Sequence, residues 1–493
     1  MHRPGWTELY DWKVDRDGAA PIFRQIYLQI RSAILSRTFP PGTKVPSTRT
    51  LASRLSVARA SVVSAYEQLL AEGYLAGKVG SGTYISSDLP EALERDPTRF
   101  SKRRLADTRG VSRREPLEIE FAGSMTGDDD RPFNTGRMLL DARTVEIWRT
   151  LTNRAMRSFE ARHLGYSDPC GFIELRRAIC EYLRAARAVR CEPDQIIVTA
   201  GSQHAFDITI RVLLRPGDEV WIEDPGYPLT HHALVAAGAK VRPIPVDAQG
   251  VDVGSAIKSA PRATAAVVTS SHQFPTGVVL SMARRLELLA WAGKADAWII
   301  EDDWASEYRY SGRPLASLQG LDEGGRVIYL GTLNKTLFPG LRIGYVVVPR
   351  QLLDAFVAAR YLMDRQPPGL QQEVLAAFIG DGHLASHIRR MRSLYRDQRD
   401  RLVEVLRRRA GDLLEVEPPD QGMHLVAYLR PGLSDTAVER AALEEGVIVR
   451  ALSRLYLRGR ARQGLLLGFS GYPTASIGSA AGRLAKALRL VAG

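Results

Sequence analysis

Cysteine is scarce in this chain of 493 residues, which has three: Cys170, Cys180 and Cys191. They form no CxxC pair and their number is odd, so we expect a reducing compartment and no disulfide framework. The nine histidines show no HExxH or comparable spacing. The sequence therefore predicts no metal site.

Long apolar runs are also lacking. No stretch has the length of a membrane span, and the first twenty residues contain no apolar segment of signal-peptide length. Acidic residues are in the minority, because 55 Asp and Glu face 67 Lys and Arg and leave a net charge of +12. We expect a cytoplasmic protein with no membrane partner, and a polyanion is one candidate partner.

Changes of composition divide the chain, which is too long for one hydrophobic core. We predict an N-terminal arm (1–19), a winged helix-turn-helix domain (20–86), a flexible linker (87–118) and an α/β domain (119–493). The linker is dense in charges of both signs and has no sustained periodicity. Its basic runs, SKRR and SRR, could also contact DNA, but a solvated tether is the favoured interpretation.

The segment from 20 to 86 has the pattern of three helices followed by a hairpin. Ile26 and Ile30 lie on one face of the first helix, Ser47 is suited to cap the second, and Val62 and Leu69 form an inward stripe on the third. A glycine-rich turn then joins two short strands. This order predicts a winged helix-turn-helix, which places one helix in the DNA major groove.

Positive charge is concentrated in the same segment. Eight Lys or Arg face two acidic residues between 20 and 86. A merely solvated basic surface is the alternative, but charge and helix order together favour a contact with DNA phosphates.

The α/β domain alternates helical stretches with apolar, β-branched runs: QIIVTA, DEVWIE, TAAVVTS, AWIIED, RVIYLG and IGYVVVP. Such runs are typical of a mainly parallel sheet covered by helices on both faces. Because ligands bind at the carboxyl ends of strands in these folds, we expect the chemistry there.

Several strand ends carry reactive or ligand-binding groups. Ser202 and Gln203 open a helix that is suited to a phosphate, although a plain strand-to-helix turn fits equally well. Tyr227 follows another strand, where its ring can either stack on a planar ligand or serve in packing. Asp302 ends an apolar strand and must there be solvated or meet a cation.

The loop TLNKTLFPGLR after the next strand adds a hydroxyl, an amine and a guanidinium in Thr332, Lys335 and Arg342. Lys335 taken alone would be read as a solvated loop lysine. One small molecule, however, uses a lysine, a carboxylate, an aromatic ring and a phosphate cup together, and that molecule is pyridoxal 5'-phosphate.

At this point the chain resembles a known family. The segments VPSTRTLASRLSVARASVVSAYEQLLAEGYL, GYSDPCGF, TAGSQHAFD, EDPGYP, SSHQFPTG, IIEDDWASEYRY and GTLNKTLFPGLRIGY are similar to those of MocR-type regulators. These are GntR-superfamily winged helix proteins fused to a fold-type I aminotransferase-like domain with a small C-terminal α+β subdomain. The resemblance covers residue 20 to nearly the end.

The resemblance implies roles for individual residues. Lys335 would form the internal aldimine, Asp302 would pair with the pyridine nitrogen and Tyr227 would stack on the ring. The residues implied to hold the phosphate are Ser202, Gln203, Thr332 and Arg342. Those implied to contact DNA are Arg49, Arg59, Ser61, Lys78 and Gly80.

The chain departs from the family pattern at several sites. Trp304 replaces a tyrosine that bonds the cofactor's ring oxygen, and an indole N–H donates but cannot accept. Leu229 and Leu466 stand where amino-acid-binding relatives carry arginine. Four arginines remain candidates for anion recognition: Arg454, Arg458, Arg460 and Arg462. A solvated basic loop is the alternative interpretation of this segment. Two residues that are often polar in relatives are alanine here, Ala58 and Ala60, which favours phosphate anchoring and shape readout.

The resemblance implies a homodimer with head-to-tail exchange of modules that binds double-stranded promoter DNA. Its effector would be an amine, an amino acid or pyridoxal phosphate itself. One alternative is a working aminotransferase tethered to DNA, which the departures disfavour, so we expect any transaminase activity to be weak. Another is a constitutive DNA-binding protein whose large domain is a cofactor-free dimerisation scaffold.

Overall fold

The computed structural model describes residues 12–36, 38–78, 81–87, 130–158, 160–312, 315–458 and 461–493. The chain divides into two compact units, residues 1–113 and 114–493. Nearly all of the predicted linker and most of the predicted arm lie outside the described residues, so the domain boundaries stay predictions.

The first unit contains three helices followed by a two-stranded antiparallel sheet. The elements are α1 (Ile22–Leu35), α2 (Thr48–Leu55), α3 (Arg59–Ala71), β1 (Leu75–Lys78) and β2 (Gly82–Ile85). The predicted winged helix-turn-helix order is confirmed.

Local sequence accounts for these elements. The Ser47 hydroxyl accepts a hydrogen bond from the main-chain N–H of Thr50 at 3.1 Å and caps α2 as predicted. The apolar stripes of α1 and α3 meet in one core that includes Ile26, Ile30 and Val62. Gly73 follows α3 with a φ of +76°, a left-handed conformation that favours glycine and lets the chain turn into the hairpin.

The second unit begins with helices α4 (Ala142–Arg157), α5 (Ala161–Leu164) and α6 (Ile173–Arg187), which precede its large sheet. The large sheet and its connections comprise β3 (Ile196–Thr199), α7 (Ser202–Leu213), β4 (Glu219–Asp224), α8 (Pro228–Ala236), β5 (Lys240–Asp247), β6 (Gly250–Val251), α9 (Val253–Ser259), β7 (Ala265–Val268), α10 (Met282–Ala295), β8 (Trp298–Asp303), α11 (Leu318–Leu321), β9 (Val327–Thr332) and β10 (Gly344–Val347).

The strand order of this sheet is β3-β10-β9-β8-β7-β4-β5-β6. Strands β5, β4, β7, β8 and β9 run parallel, whereas β10 is antiparallel to both β9 and β3. All six apolar runs of the sequence form strands of this sheet, and β3, β7, β9 and β10 are buried throughout. The predicted mainly parallel sheet with helical cover is confirmed.

The chain then forms a smaller α+β part. Its elements are α12 (Leu353–Asp364), α13 (Gly369–Gly380), α14 (His383–Ala410), β11 (Leu414–Val416), β12 (His424–Leu429), α15 (Asp435–Glu444), β13 (Arg450–Ala451), β14 (Gly464–Gly468) and α16 (Thr474–Ala492). The four strands pair antiparallel in the order β11-β12-β14-β13. One face of this sheet packs with α14 and α16 in a continuous core. Among the helices of the described ranges, none is both long and apolar enough to cross a membrane.

Candidate functional site

The pairing of the large sheet brings together strand ends that are far apart in sequence. Gly344 of β10 lies opposite Thr199 of β3 and also opposite Thr332 of β9. Asp302 of β8 lies beside Leu330 of β9 in the parallel register. The groups that follow β3, β8 and β9 therefore line one edge of the sheet, as the sequence predicted.

Lys335 lies in the turn after β9 and is half-buried. Its Nζ lies 3.4 Å from the main-chain oxygen of Gly136, and a methyl group built on Gly136 would come within 3.1 Å of that Nζ. Burial lowers the pKa of Lys335 to about 8. Near physiological pH more of this amine is neutral than in an exposed lysine, and the neutral form is the one that attacks an aldehyde.

The adjacent carboxylates Asp302 and Asp303 have different surroundings, because consecutive side chains of a strand point to opposite faces. Asp303 is buried and accepts hydrogen bonds from Arg187 Nε at 2.7 Å and from the Tyr329 hydroxyl at 2.5 Å. Asp302 Oδ1 is buried without a hydrogen-bond partner among the described residues.

Burial, with added repulsion from Asp303 and Glu223, raises the pKa of Asp302 to about 7. A buried carboxylate oxygen that lacks a donor is costly, and a protonated ring nitrogen would supply both the donor and the charge.

A narrow cradle lies at the start of α7. Gly201 precedes this helix with a φ of +106°, and no side chain caps the helix end. A methyl group on Gly201 would lie 2.8 Å from Asn334 Nδ2 and 3.4 Å from an Arg342 nitrogen. The N–H groups at the start of α7, the Asn334 amide and the Arg342 guanidinium all lie around Gly201. Such a set of donors is suited to bind a phosphate.

The other predicted phosphate residues lie around this cradle. Ser202 and Gln203 are the first two residues of α7. The Thr332 hydroxyl is buried and accepts from the Asn334 N–H at 3.2 Å, while Arg342 donates to the Ala200 carbonyl at 2.7 Å. The structure thus brings together all four residues predicted to hold phosphate.

Tyr227 immediately precedes α8 and is half-buried. Its ring packs edge to face against Phe274, with centroids 5.4 Å apart. Burial, with a smaller contribution from the charge of Asp302, raises the pKa of Tyr227 to about 12. The charge of Asp302 therefore acts on Tyr227, and stacking of the Tyr227 ring on a planar ligand stays a prediction.

Trp304 lies next to this site. Its indole Nε1 donates to the main-chain oxygen of His272 at 3.1 Å, and its ring stacks on His424 with an interplanar angle of 9°. His424 in turn donates from Nε2 to the Pro275 carbonyl. The indole N–H is thus directed to the protein main chain, and contact of Trp304 with a cofactor stays a prediction.

An apolar wall stands beside the aromatic residues. It consists of Phe274, Val426, Leu452, Leu455 and Leu466, with Tyr227, Trp304, Tyr428 and Tyr456 packed against it. Leu466 is fully buried in this wall, and Leu229 is half-buried in α8. Neither position offers a positive charge.

Sequence reasoning missed three residues of the site: Gly136, Asn334 and His424. Asn334 is adjacent to Lys335 in LNKT, and its Oδ1 accepts from the Ile343 N–H at 3.0 Å, which directs its amide toward Gly201. The position of Asn334 next to Lys335 is the feature of the sequence that could have identified it. Nothing local marks Gly136 or His424, because their places depend on distant segments.

The predicted DNA-binding residues lie on the second and third helices and the hairpin of the first unit. Arg49 is exposed on α2, and Arg59 begins α3, where its Nε donates to the Thr48 hydroxyl at 3.3 Å. Ser61 is half-buried in the first turn of α3, and Lys78 ends β1. Gly80 lies outside the described residues, so its predicted place at the wing tip is not addressed by the structure.

These features define a protein of two modules, a winged helix-turn-helix and an aminotransferase fold. Residues 23–85 match the family of bacterial regulatory proteins described as gntR, and residues 131–465 match aminotransferase class I and II. Among solved structures, the chain is similar to a multiple substrate aminotransferase from Thermococcus profundus, at 27% identity and a TM-score of 0.69. The likeness covers 77% of this chain and 96% of that one.

The similarity to two transcription regulators extends over nearly the whole chain. The probable rhizopine catabolism regulatory protein MocR of Rhizobium meliloti is 40% identical over 93% of this chain and 92% of the relative. The pyridoxine biosynthesis regulator PdxR of Corynebacterium glutamicum is 32% identical over 91% of this chain and 92% of the relative. The chain belongs to the MocR-type family of GntR regulators and is a DNA-binding transcription regulator.

Proposed function

We propose that the aminotransferase-like unit binds pyridoxal phosphate through Lys335 and senses an amine, an amino acid or the cofactor itself. Occupancy of the site would change the affinity of the winged helix for promoter DNA in the cytoplasm. The observation that carries this proposal is the buried Asp302 oxygen without a donor, on the strand next to the one that leads to Lys335.

The residues of the site fit the cofactor. Lys335 would hold it covalently, Asp302 would accept from its ring nitrogen and Tyr227 would cover the ring. The cradle formed by Gly201, Asn334 and Arg342 would take its phosphate. When bound, pyridoxal phosphate supplies an aldehyde carbon that combines reversibly with primary amines.

The protein's own groups prepare this site. Burial raises the neutral fraction of the Lys335 amine above that of an exposed lysine, and the Gly136 carbonyl lies within reach of its Nζ. The apolar wall around Phe274 and Leu466 limits the access of water to one side of the site. No arginine stands at 229 or 466, which favours a sensor over an efficient aminotransferase of amino acids.

Regulation requires that the effector bind more tightly to one DNA-binding arrangement than to another. We propose a homodimer with exchanged modules as the assembly that provides two such arrangements. An exposed apolar patch supports dimer formation, since Leu164, Tyr166 and Leu362 are 78%, 82% and 84% exposed. Arg365 lies 4.3 Å from the centre of the Tyr166 ring in the same patch.

Promoter binding tests the proposal. The purified protein would first be used to select an operator from random DNA duplexes. The Kd for this operator would then be measured for the wild type and for Lys335→Ala, each with and without pyridoxal phosphate. We expect the cofactor, or an amine added with it, to change the wild-type Kd by about 5-fold or more, as for typical coupling free energies. Lys335→Ala should show no such change.

Identical Kd values under all these conditions would instead support a constitutive DNA-binding protein with a scaffold domain. Steady turnover of an amino donor with a keto acid would support the tethered aminotransferase.

A further inference from the structure

A buried histidine of α14, His387, lies against the turn that carries Lys335. Its side chain belongs to a residue that is 2% exposed, and burial lowers its pKa, so the ring is neutral at physiological pH. Its Nε2 lies 2.9 Å from the main-chain oxygen of Thr336, the residue that follows Lys335. A neutral imidazole carries one N–H and a carbonyl only accepts, so the proton of His387 is on Nε2.

The Thr336 carbonyl also has a second donor. The Tyr308 hydroxyl donates to the same oxygen at 2.8 Å, so both lone pairs of this oxygen are used. On the other side of Lys335, the side chain of Asn334 accepts from the Ile343 N–H at 3.0 Å. Lys335 is therefore flanked by two residues that hydrogen bonds hold in place.

The other ring nitrogen of His387 faces helix α4. Its Nδ1 lies 2.7 Å from the hydroxyl of Thr144, which is buried in the first turn of that helix. With the proton of His387 on Nε2, Nδ1 accepts the single proton of this hydroxyl. The Thr144 oxygen also lies 2.9 Å from Asp141 and 3.2 Å from Arg390, which form an ion pair at 2.5 Å. A continuous chain of hydrogen bonds thus connects this ion pair with the residue next to Lys335.

We propose that His387 is a positioning residue for Lys335. By donating to the Thr336 carbonyl, it fixes the orientation of the peptide next to the lysine and keeps the amine in its buried place. A group that reacts with a bound aldehyde must be held in a defined geometry, and hydrogen bonds behind that group provide it. This inference rests on the proposed function, because the Lys335 amine is the group that would hold pyridoxal phosphate.

Thr144 acts on the same turn through His387. Without the Thr144 hydroxyl, Nδ1 loses its donor, and the ring can then carry its proton on either nitrogen. A ring with its proton on Nδ1 would turn a lone pair toward the Thr336 carbonyl and give it no support. Helix α4 is in this way coupled to Lys335, from which it is distant in sequence.

The reactivity of Lys335 without cofactor tests this inference. The cofactor-free protein is labelled briefly with acetic anhydride over a range of pH, and acetylation of the peptide that contains Lys335 is measured by mass spectrometry. The wild type should show a midpoint of about 8, the pKa of Lys335. His387→Leu should raise this midpoint by about one unit, because a loosened turn admits water to the amine. His424, on which the Lys335 charge acts, is unchanged in this variant.

Conservative variants and a control assign the effect to the hydrogen bonds. His387→Gln can place an amide N–H where Nε2 lies, so it should restore the wild-type midpoint. Thr144→Val should raise the midpoint by a smaller amount than His387→Leu, and Thr144→Ser should leave it unchanged. Gln398→Leu is the matched control, because Gln398 is also buried on α14, roughly three turns further on, and donates to the main-chain oxygen of Tyr472. Its midpoint should equal that of the wild type.

The rate at which the visible band forms with pyridoxal phosphate gives a second measurement. At a pH of about 7.5, a rise of one unit in the pKa of the amine lowers its neutral fraction by roughly five- to tenfold. The band should therefore form more slowly by this factor in His387→Leu, and at nearly the wild-type rate in His387→Gln and Gln398→Leu.

Equal labelling midpoints in His387→Leu and Gln398→Leu would overturn the role of His387, as would a midpoint in His387→Gln as high as in His387→Leu. Thr144→Val removes one hydroxyl and keeps the branched shape of the side chain, so it decides the matter if His387→Leu does not fold. An unchanged midpoint in Thr144→Val would then overturn the inference. A wild type that is acetylated at Lys335 but forms no bond there with pyridoxal phosphate would overturn the proposed function, while the labelling still decides the role of His387.

Discussion

The indole N–H of Trp304 donates to the main-chain oxygen of His272, so it points into the protein. A tyrosine at this place could instead present its hydroxyl to a neighbouring ligand. Hydrogen bonding to a ring oxygen stabilises the deprotonated form of the lysine-bound cofactor. The visible absorption of the protein loaded with pyridoxal phosphate is expected to change with pH as the lysine-bound cofactor loses its proton. Trp304→Tyr should therefore lower the midpoint of this change by about one pH unit.

Trp304→Phe is the control for this prediction. It removes the indole N–H without adding a hydroxyl, so the midpoint should move by much less than in Trp304→Tyr. A shift of the same size and sign in both variants would show that packing against His424, and not a new hydroxyl, controls the midpoint.

Asp302→Asn should weaken the binding of pyridoxal phosphate and stabilise the cofactor-free protein. The amide cannot stabilise a protonated ring nitrogen, and loss of a charged hydrogen bond of roughly 1.5–3 kcal/mol raises the Kd for pyridoxal phosphate by about tenfold or more. The pKa of Asp302 is about 7 in the folded protein, above that of a free aspartate. The wild type therefore loses stability as the pH rises from about 4 to 7.

The cofactor-free Asp302→Asn variant should consequently unfold at a higher temperature than the wild type at pH 8, by on the order of 2 °C. Its advantage should shrink as the pH falls toward 4. Calorimetry at the two pH values checks the sign, and a variant less stable than wild type at pH 8 would contradict the assigned environment of Asp302.

The rate of cofactor binding should follow the titration of Lys335. With a pKa of about 8, the fraction of neutral amine rises up to that pH and levels off above it. Stopped-flow absorbance with pyridoxal phosphate should show the same profile. N-acetyl-lysine amide serves as the reference, and its rate should continue to rise toward pH 10. A protein profile that also continues to rise would exclude the buried amine as the reacting group.

Dimer formation should depend on the exposed apolar patch. Leu362→Glu introduces a charge that would be buried in an interface, so it should shift the protein from dimer to monomer in light scattering at micromolar concentration. Leu490→Glu is the matched control, because Leu490 is 64% exposed on α16, away from the patch, and should leave the mass unchanged. A monomeric wild type, or a dimer unaffected by Leu362→Glu, would contradict this interface.

Arg59 at the start of α3 should contribute to DNA affinity through a phosphate contact. Arg59→Ala should weaken operator binding by about tenfold and reduce the dependence of log Kd on log salt by about one. Arg24→Ala on α1 removes the same charge from a residue near the Tyr27 ring and tests for a general charge effect. Equal losses in both variants would exclude a specific role of Arg59.

Much of the fold could be predicted from the sequence, because buried parallel strands require apolar runs and these are separated by polar loops. The capping role of Ser47 and the placement of Lys335 and Asp302 after apolar strands follow from local rules of the same kind. Such features depend on residues close together in the chain.

Other features depend on the register of strand pairing and on loops that contact residues far away in the sequence. Leu466 reaches the apolar wall because it pairs with Val426 of β12, and no local pattern shows that pairing. Asn334 is part of the cradle because its loop approaches Gly201, which precedes it by more than a hundred residues. The direction of the Trp304 N–H likewise depends on His272.

The most direct test of the account is the visible spectrum of the purified protein with pyridoxal phosphate, before and after borohydride, beside Lys335→Ala. The account predicts a visible band in the wild type that borohydride removes, with a stable mass increase on the peptide that contains Lys335 and no such band or label in the variant. A wild type without the band, or a label on another lysine, would contradict the claim that Lys335 anchors the cofactor.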